Sequence, residues 1–235
     1  MTSESIYEYD LGQLANEIET GCTFCSQFKD RSNLGVSGII FGEDFNRVLY
    51  QDEHFVVVPA LGQIVEGYLL IVARNHYNSI ANIPEELQQS FLHLKEKVVS
   101  VLAAEYSKPV FFEHGSLSSH QLGGACINHA HLHAVPINID FRDFLSETLN
   151  VIQINSIQDL WNLKPNFTYL FFELEKNKAF YAKSNEFIPC QYFRRIIAEY
   201  VARPNEWNWR LHIGKDKVKA TIKRLRGKFE DIESP

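Results

Sequence analysis

Three histidines at alternate positions are the feature of this chain best suited to chemistry. They are His129, His131 and His133, within the run from Asn128 to Pro136. Successive side chains of a β-strand point to opposite faces, so residues i, i+2 and i+4 share one face. The spacing therefore predicts a row of three imidazoles, each about 6–7 Å from the next. An imidazole with a pKa near neutrality can act as a nucleophile, a proton carrier or a metal ligand.

A pair of cysteines near the start of the chain is the second such feature. Cys22 and Cys25 form a Cys-x-x-Cys motif, and the other two of the four cysteines are Cys126 and Cys190. In a cytosolic protein, this motif more often binds a metal or takes part in redox chemistry than forms a structural disulfide. Two histidines at i and i+2 of a strand can bind one zinc ion, so a catalytic metal site on the histidine row also stays open.

Strands and one long helix are predicted around these residues. Apolar and β-prone stretches predict strands at residues 47–49, 54–60, 68–73, 109–113 and 129–137. Pro84, followed by Glu85 and Glu86 and then by apolar residues at helical spacing, predicts a helix over residues 84–106. An antiparallel meander of these strands beside a long helix gives an α+β fold.

Two further segments flank the histidines and cysteines. A short helix is predicted over residues 11–18, directly before the cysteine pair. Residues 115–124 form a loop rich in glycine and serine that leads into the histidine row. Such a loop offers backbone N–H groups that can approach an anion closely.

The remainder of the chain predicts an extension. Its pattern indicates a hairpin formed by residues 169–174 and 179–183. Two helices are indicated after it, over residues 189–201 and 216–229. The sequence has no internal repeat and no low-complexity linker before this segment. We therefore expect one domain over residues 1–140 and an α+β extension over residues 141–235 that packs on it.

Composition restricts the class of protein. The 235 residues carry a net charge of −6, with 45% hydrophobic and 22% charged residues, which is typical of a soluble globular protein. An acidic balance gives no strong signal for nucleic-acid binding. Residues 215–228 are locally basic and predict either a solvated helix or a surface that faces a polyanion. The chain lacks an apolar run of membrane-spanning length and a signal peptide, so we expect a cytoplasmic protein without a membrane partner.

The histidine row and the segments before it resemble the signature of the histidine triad (HIT) superfamily, His-x-His-x-His followed by apolar residues. The resemblance covers about residues 20–140 and follows the family's order. Its other elements are the cysteine pair, the apolar strand of residues 67–76 that ends in His76, Glu113-His114-Gly115, and Gly124-Ala125-Cys126. The cysteine pair is also similar to the zinc site of galactose-1-phosphate uridylyltransferases.

The resemblance implies a fold and a reaction. The fold is a HIT-like antiparallel sheet with a long helix. The reaction is in-line attack of His131 on the α-phosphate of a nucleotide or nucleotide conjugate, which gives a nucleotidyl-histidine intermediate. His133 would contact or protonate phosphate oxygens, and Cys126 replaces a family serine beside the triad. Backbone amides from Gly124 to Asn128 would bind the phosphate.

The resemblance also implies a structural zinc ion. Its ligands would be Cys22, Cys25, His76 and His129, the tetrahedral nitrogen and sulfur donors of a structural site. A closed set of four ligands leaves no coordination position for a substrate, so zinc would hold the fold and orient the triad strand. Buried thiols or a redox pair remain alternatives for the two cysteines.

Several functions are compatible with these residues. A nucleotide hydrolase is favoured by His133, because many transferases of the family carry glutamine there. A nucleotidyltransferase or phosphorylase would use the same intermediate. A metal-dependent hydrolase with catalytic zinc and a non-catalytic binding module are the remaining alternatives. Tyr68 replaces a family histidine, and neither the base nor the leaving group is specified. A homodimer is expected, because the family commonly forms one.

The extension offers side chains for substrate selection. Gln191 and Arg194 lie at the start of the helix predicted over residues 189–201. Helix N-termini and guanidinium groups both favour anions. We therefore expect Gln191 and Arg194 to bind substrate, with a stabilising cap on the sheet as the alternative role of the extension.

Overall fold

The structure is a computed structural model that describes residues 22–28, 38, 40–42, 45–116, 127–145, 149–184 and 188–230. The strands are β1 (Tyr50–Gln51), β2 (Phe55–Pro59), β3 (Leu69–Ala73), β4 (Val110–Gly115), β5 (His131–Val135), β6 (Val151–Ile154), β7 (Tyr169–Glu175) and β8 (Lys178–Lys183). The helices are α1 (Thr23–Phe28), α2 (Glu85–Glu105), α3 (Arg142–Leu145), α4 (Ile157–Leu163), α5 (Tyr192–Tyr200) and α6 (Lys215–Leu225), with a 3₁₀ turn at Ile80–Asn82. The helix predicted over residues 11–18, Gly124 and Cys126 lie outside the described residues.

The described strands form one antiparallel sheet in the order β1-β2-β3-β5-β4-β7-β8-β6. The predicted α+β class is confirmed. The predicted meander is wrong at one point, because β5 lies between β3 and β4 and pairs with both. Both neighbours run antiparallel to β5, so β3 and β4 are parallel to each other. Parallel strands need a crossover connection, and α2 provides it.

Helix α2 covers one face of the sheet. Its buried residues recur at helical spacing, as Leu87, Phe91, Leu94, Val98 and Leu102. They form a core with apolar side chains from the strands, including Ile71, Phe111 and Leu132. Burial of each such side chain contributes about 1.5–3 kcal/mol, which fixes the strand register that the histidines depend on.

Helix α5 of the extension covers the opposite face. Phe193 and Ile197 of α5 are fully buried there, beside Phe112 and Phe141. The extension also continues the sheet, because β7 pairs with β4 through residues such as Leu170, opposite His114. Strand β6 and helices α3 and α4 had no counterpart in the sequence-based prediction. The boundary at residue 140 stays a prediction.

Three predicted boundaries are wrong for local reasons. Residues 47–49 are not a strand, because the Asn46 side chain accepts the Val48 N–H at 2.9 Å. Strand β5 starts after residue 130, since the Ala130 N–H donates to the carbonyl of Tyr77 at 2.6 Å. Helix α5 starts at Tyr192, because Gln191 adopts a left-handed conformation with φ 60°.

The basic segment at the C-terminal end is an amphipathic helix. Val218 and Ile222 of α6 are buried, and several of the basic side chains make ion pairs. Lys217 bonds Glu206 at 2.7 Å, and Lys228 bonds Glu105 at 2.9 Å. These contacts support the solvated helix, and the polyanion-facing role stays a prediction. Within the described ranges, no helix has both the length and the apolar character that a membrane span requires.

Candidate functional site

The face of the sheet beneath α5 carries the histidines in cross-strand rows. His133 of β5 lies between Leu70 of β3 and Phe112 of β4. The β4–β5 register, continued by two residues, sets His114 beside His131. The ring centroids of His131 and His133 are 4.8 Å apart, shorter than the predicted spacing because the rings tilt towards each other. Two imidazoles of the predicted row therefore share this face.

His129 departs from the row and joins a cluster with the cysteine pair. The Sγ of Cys22 lies 3.2 Å from Nδ1 of His129, and the Sγ of Cys25 lies 3.3 Å from Nδ1 of His76. The donor atoms of all four residues lie within 4.8 Å of one another. Tetrahedral zinc with nitrogen and sulfur ligands separates its donors by about 3.3–3.8 Å. The four residues predicted as metal ligands therefore lie together and could hold a metal ion.

Backbone contacts prepare His129 for a metal. Its Nε2–H donates to the carbonyl of Ala73 at 2.6 Å, which leaves the Nδ1 lone pair facing the cysteines. Burial lowers the pKa of His129 to about 4, so the ring is neutral, as a ligand must be. Phe24 of α1 packs edge-on against both His129 and His131, at 5.5 and 5.2 Å between centroids.

His131 has the opposite arrangement of its two nitrogens. Its Nδ1 lies 2.5 Å from the carbonyl oxygen of His129. A carbonyl can only accept, so Nδ1 carries the proton and Nε2 keeps its lone pair. Burial lowers the pKa of His131, which favours the neutral ring. Nε2 is therefore available as a nucleophile towards the cavity that His131 lines.

His133 is held by a phenol and an aromatic ring. Its Nδ1 lies 2.6 Å from the hydroxyl of Tyr68, and its ring stacks on Phe112 at 4.3 Å. Burial raises the pKa of Tyr68 to about 12, against the lowering effect of the nearby Arg194. The raised pKa keeps the phenol protonated, so we assign the Tyr68 O–H as the donor to Nδ1. His133 then presents Nε2–H as a donor.

Arg194 brings a buried positive charge to the same cavity. It is 4% exposed, and it donates to the carbonyls of Gly62 at 2.5 Å and Trp207 at 2.8 Å. No carboxylate of the described residues lies within salt-bridge distance of it. A buried charge without a counter-ion favours binding of an anion. Gln191 also lines the cavity, but its Oε1 already accepts from Arg194 Nε at 3.1 Å and from Trp209 N at 3.2 Å.

Arg47 and His114 line this cavity as well, and neither was predicted from the sequence as a site residue. Arg47 is buried and donates to the carbonyl of Pro59 at 2.6 Å, and burial lowers its pKa to about 9. No local pattern marks Arg47. His114 could have been noticed, because it alternates with Phe112 on a strand next to the triad. The full lining is Thr23, Phe24, Gln27, Arg47, Ala60, Leu61, Leu70, His114, Ile127, His131, His133, Gln191, Arg194 and Trp209.

The remaining predicted site residues divide into two groups. Gly124 and Cys126 lie outside the described residues, so their roles stay predictions. Asn128 lies beside the metal-type cluster, where its Nδ2 donates to Asn78 at 3.1 Å and its Oδ1 is buried without a hydrogen-bond partner. Among the described residues, the single group able to hold a metal does not contain His131, which gives no support to a catalytic zinc on the triad.

Comparison with known proteins finds one family model and several relatives of low sequence identity. A family model described as "Scavenger mRNA decapping enzyme C-term binding" matches residues 35–144. Protein hit of Bacillus subtilis is 23% identical over 99 residues, which is 42% of this chain and 66% of that protein. CWF19-like protein 1 of Mus musculus is 20% identical over 195 residues, 77% of this chain but only 35% of that protein. The chain thus spans between about a third and two thirds of these relatives.

Among solved structures, part of the chain is similar to a histidine triad family protein, at low sequence identity and low overall structural similarity. A Zn-bound histidine triad family protein from Mycobacterium smegmatis is 15% identical, with a TM-score of 0.33. The match covers 54% of this chain and 86% of that protein.

Proposed function

We propose that the chain is a histidine triad enzyme that acts on nucleotides through a nucleotidyl-histidine intermediate on His131. The family model over residues 35–144 and the similarity to protein hit of Bacillus subtilis support this proposal. Proteins of this superfamily are generally nucleotide hydrolases or transferases. The observation that carries the proposal is the hydrogen bond from Nδ1 of His131 to the carbonyl of His129, at 2.5 Å. It leaves the Nε2 lone pair free beside His133 and a buried guanidinium.

The first step forms a bond from Nε2 of His131 to the α-phosphorus of the nucleotide. The bond from phosphorus to the leaving-group oxygen breaks in line with the attack. His131 takes a positive charge as it bonds to phosphorus, and the carbonyl of His129 stabilises that charge through Nδ1–H. No proton has to leave His131 before attack, because Nε2 carries none.

His133 and Arg194 stabilise the charge that develops on the phosphate and leaving group. His133 presents Nε2–H, which can bond a phosphoryl oxygen or donate to the departing oxygen. Arg194 supplies a charge that its surroundings do not neutralise. Donors held in place by Tyr68, Gly62 and Trp207 need little reorganisation during the reaction, which increases their contribution.

The second step releases the nucleotide. Water attacks the α-phosphorus and releases a proton to the solvent, the Nε2–P bond breaks, and a nucleoside monophosphate leaves with neutral His131 restored. A phosphate or sugar phosphate in place of water would give a transferase, and the two buried arginines of the cavity, Arg47 and Arg194, favour an anionic acceptor. We regard the hydrolase as the first function and the phosphorylase-type transferase as the second.

A structural zinc ion on Cys22, Cys25, His76 and His129 is part of the proposal. The fit rests on donor atoms within 4.8 Å of one another and on the Ala73 carbonyl that orients His129. When bound, zinc would tie α1 to the segments before β5 and provide no chemistry of its own. Cytoplasmic location, a homodimer, and phosphate binding by backbone amides between Gly124 and Asn128 with Cys126 beside the triad remain proposals too.

The test is capture of the covalent intermediate. The protein is mixed with nucleoside di- and triphosphates labelled at the α-phosphate and quenched in alkaline denaturant, because a P–N bond hydrolyses in acid. We expect label on the wild-type chain and none on His131→Asn. His93→Asn is the matched control, since His93 is exposed on α2. No label with any nucleotide, while monophosphate is still released, would exclude the intermediate.

A phosphate titration separates the two functions. Release of the monophosphate in buffer without phosphate identifies a hydrolase. A transferase gives little release until inorganic phosphate is added, and the product then gains that phosphate as a diphosphate.

Arg194→Lys tests the anion role of the extension. Lysine keeps the positive charge, but it cannot bond simultaneously to the several acceptors that the guanidinium of Arg194 contacts. We expect kcat/KM to fall about tenfold, as loss of a charge-assisted hydrogen bond predicts. Arg195→Lys, at the next position and stacked on Trp207, should change kcat/KM little. Equal effects of the two substitutions would reduce the extension to a structural cap.

A further inference from the structure

His114 is a buried histidine that the proposed reaction leaves without a role. It is 7% exposed, lies on β4 and lines the same cavity as His131 and Arg194. Its ring packs against Phe193 at 5.1 Å and edge-on against Phe112 at 6.1 Å. Hydrophobic packing alone does not require a histidine at this position, because the two rings that pack against it are the phenylalanines Phe112 and Phe193.

The backbone determines which nitrogen of His114 carries the proton. The N–H of Phe193, in the first turn of α5, points at Nε2 of His114 over 3.4 Å. A backbone N–H can only donate, so Nε2 is the acceptor. The proton of the neutral ring must then be on Nδ1. No atom of the described residues accepts from Nδ1, and Nδ1 is not among the buried atoms that lack a partner, so it is accessible from the cavity.

The surroundings keep His114 neutral. Burial, with smaller contributions from the neighbouring His131 and Arg194, lowers its pKa to about 3. A neutral imidazole adds a hydrogen-bond donor without adding a second charge next to Arg194. It also cannot serve as a general acid, because a neutral imidazole does not give up its remaining proton near pH 7.

We propose that His114 is a substrate-contacting residue whose Nδ1–H donates to a phosphoryl oxygen of the bound nucleotide, next to the guanidinium of Arg194. Arg194 supplies the positive charge, and the Nδ1–H of His114 supplies a hydrogen bond of fixed orientation. The identity of the ligand rests on the proposed function. The donor role rests on the contact with Phe193.

Two substitutions separate the donor from the acceptor. The Nδ2 of asparagine reproduces the position of Nδ1, so His114→Asn keeps the donor and loses the acceptor for Phe193. The Oε1 of glutamine reproduces the position of Nε2, so His114→Gln keeps that acceptor and loses the donor. A purely structural histidine predicts that glutamine is the better replacement in every measurement.

The experiment is calorimetric titration with α,β-methylene-ADP, in which a carbon bridge prevents cleavage, combined with thermal unfolding of each variant. We expect His114→Gln to unfold at the wild-type temperature and to bind the probe about 10- to 100-fold more weakly, as loss of a hydrogen bond to a charged group predicts. We expect His114→Asn to bind within about threefold of wild type and to unfold at a lower temperature, because Phe193 loses its acceptor.

Binding by His114→Gln equal to wild type, weakened binding by His114→Asn alone, or no binding of the probe by wild type overturns the inference. These outcomes are independent of the covalent intermediate. If His131 is labelled but His114→Gln binds normally, the reaction stands and the inference fails. If binding depends on His114 but no label forms, the inference stands and the reaction fails.

Discussion

Two neighbouring sites contain histidines that are two residues apart in the chain. They are the metal-type cluster of Cys22, Cys25, His76 and His129 and the cavity that His131 lines, and the two histidines present opposite ring nitrogens to them. In the cluster, His129 donates through Nε2–H to the carbonyl of Ala73 and presents Nδ1 to the cysteines. In the pocket, His131 donates through Nδ1–H to the carbonyl of His129 and presents Nε2 to the cavity. The residue type is the same, although His129 is buried and His131 is only partly buried. The position of one backbone carbonyl decides which nitrogen is reactive.

His133 shows a third arrangement on the same strand. Its Nδ1 accepts from a phenol instead of donating to a carbonyl, so its outward nitrogen carries a proton. Three histidines in five residues thus present different ring nitrogens, which suit the proposed roles of metal ligand, nucleophile and hydrogen-bond donor. Each role can be altered without deleting the ring, which gives the following tests.

The largest expected effect is on turnover when the nucleophile is replaced. In His131→Asn, Nδ2 reproduces the donor at Nδ1 and still bonds the carbonyl of His129, but the attacking nitrogen is absent. We expect kcat to fall at least about a thousandfold with the unfolding temperature unchanged. Steady-state kinetics and thermal unfolding check this, with His93→Asn as control. A folded variant with substantial activity would remove His131 from the nucleophile role.

The second effect concerns stability through the cluster. We expect about one zinc ion per chain by elemental analysis, and a loss of several kcal/mol in the free energy of unfolding for Cys22→Ser. The reason is that the ligands come from three separate segments of the chain. Thermal unfolding with and without a chelator measures it. The prediction is wrong if purified protein holds no zinc and neither added zinc nor the substitution alters its unfolding.

A buried carboxyl on the other face of β4 provides a third test, away from both centres. Glu113 accepts from the N–H of Ile80 and the hydroxyl of Tyr169, both at 2.6 Å, and burial raises its pKa from 4.5 to about 7. Between these two pH values the folded chain keeps a proton that the unfolded chain has lost. The free energy of unfolding should therefore fall by about 3 kcal/mol as pH rises from 4.5 to 7.

Glu113→Gln should remove this contribution, because an amide does not titrate in this range. Denaturant unfolding at several pH values measures the difference in slope between variant and wild type. A parallel pH dependence in the two proteins would contradict a raised pKa at Glu113. The result would also show how strongly burial alone controls protonation in this sheet.

The smallest effect is expected at His133. Tyr68→Phe removes the hydroxyl that bonds Nδ1 and leaves the ring in place on Phe112. His133 can then change its tautomer and lose the outward donor. We expect kcat/KM to fall about tenfold, which corresponds to one hydrogen bond, with KM little changed. Unaltered kinetics would show that Tyr68 does not select the tautomer.

Much of the fold could be predicted from local patterns, since helix α2 and strands β2 and β3 follow from apolar periodicity. The set of four metal-type residues was predicted from the resemblance to the histidine triad superfamily. The position of β5 between β3 and β4 could not be predicted, because pairing order is decided by the crossover helix. Gln191 was placed within a helix, whereas its left-handed conformation makes it the residue before α5.

The pocket residues show the same limit more sharply. The charge of Arg194 is evident from the sequence. Its partners are not, because it bonds carbonyls such as that of Gly62, 132 positions away, and no carboxylate of the described residues. Arg47 is held at the pocket by its hydrogen bond to the carbonyl of Pro59. No spacing rule in the sequence predicts this contact. His114 gains its donor role from Phe193, 79 positions later.

The sequence by itself determined the chemistry available to this protein: three alternating histidines, a cysteine pair and the strands that carry them. It could do so because residue type and strand alternation are local properties. For His129, His133 and His114, only the tertiary structure decided which nitrogen is free, whereas the Nδ1 of His131 faces the carbonyl of His129 two positions earlier. A tautomer depends on the donor or acceptor facing the other nitrogen, and for His129, His133 and His114 that group comes from 56, 65 and 79 positions away.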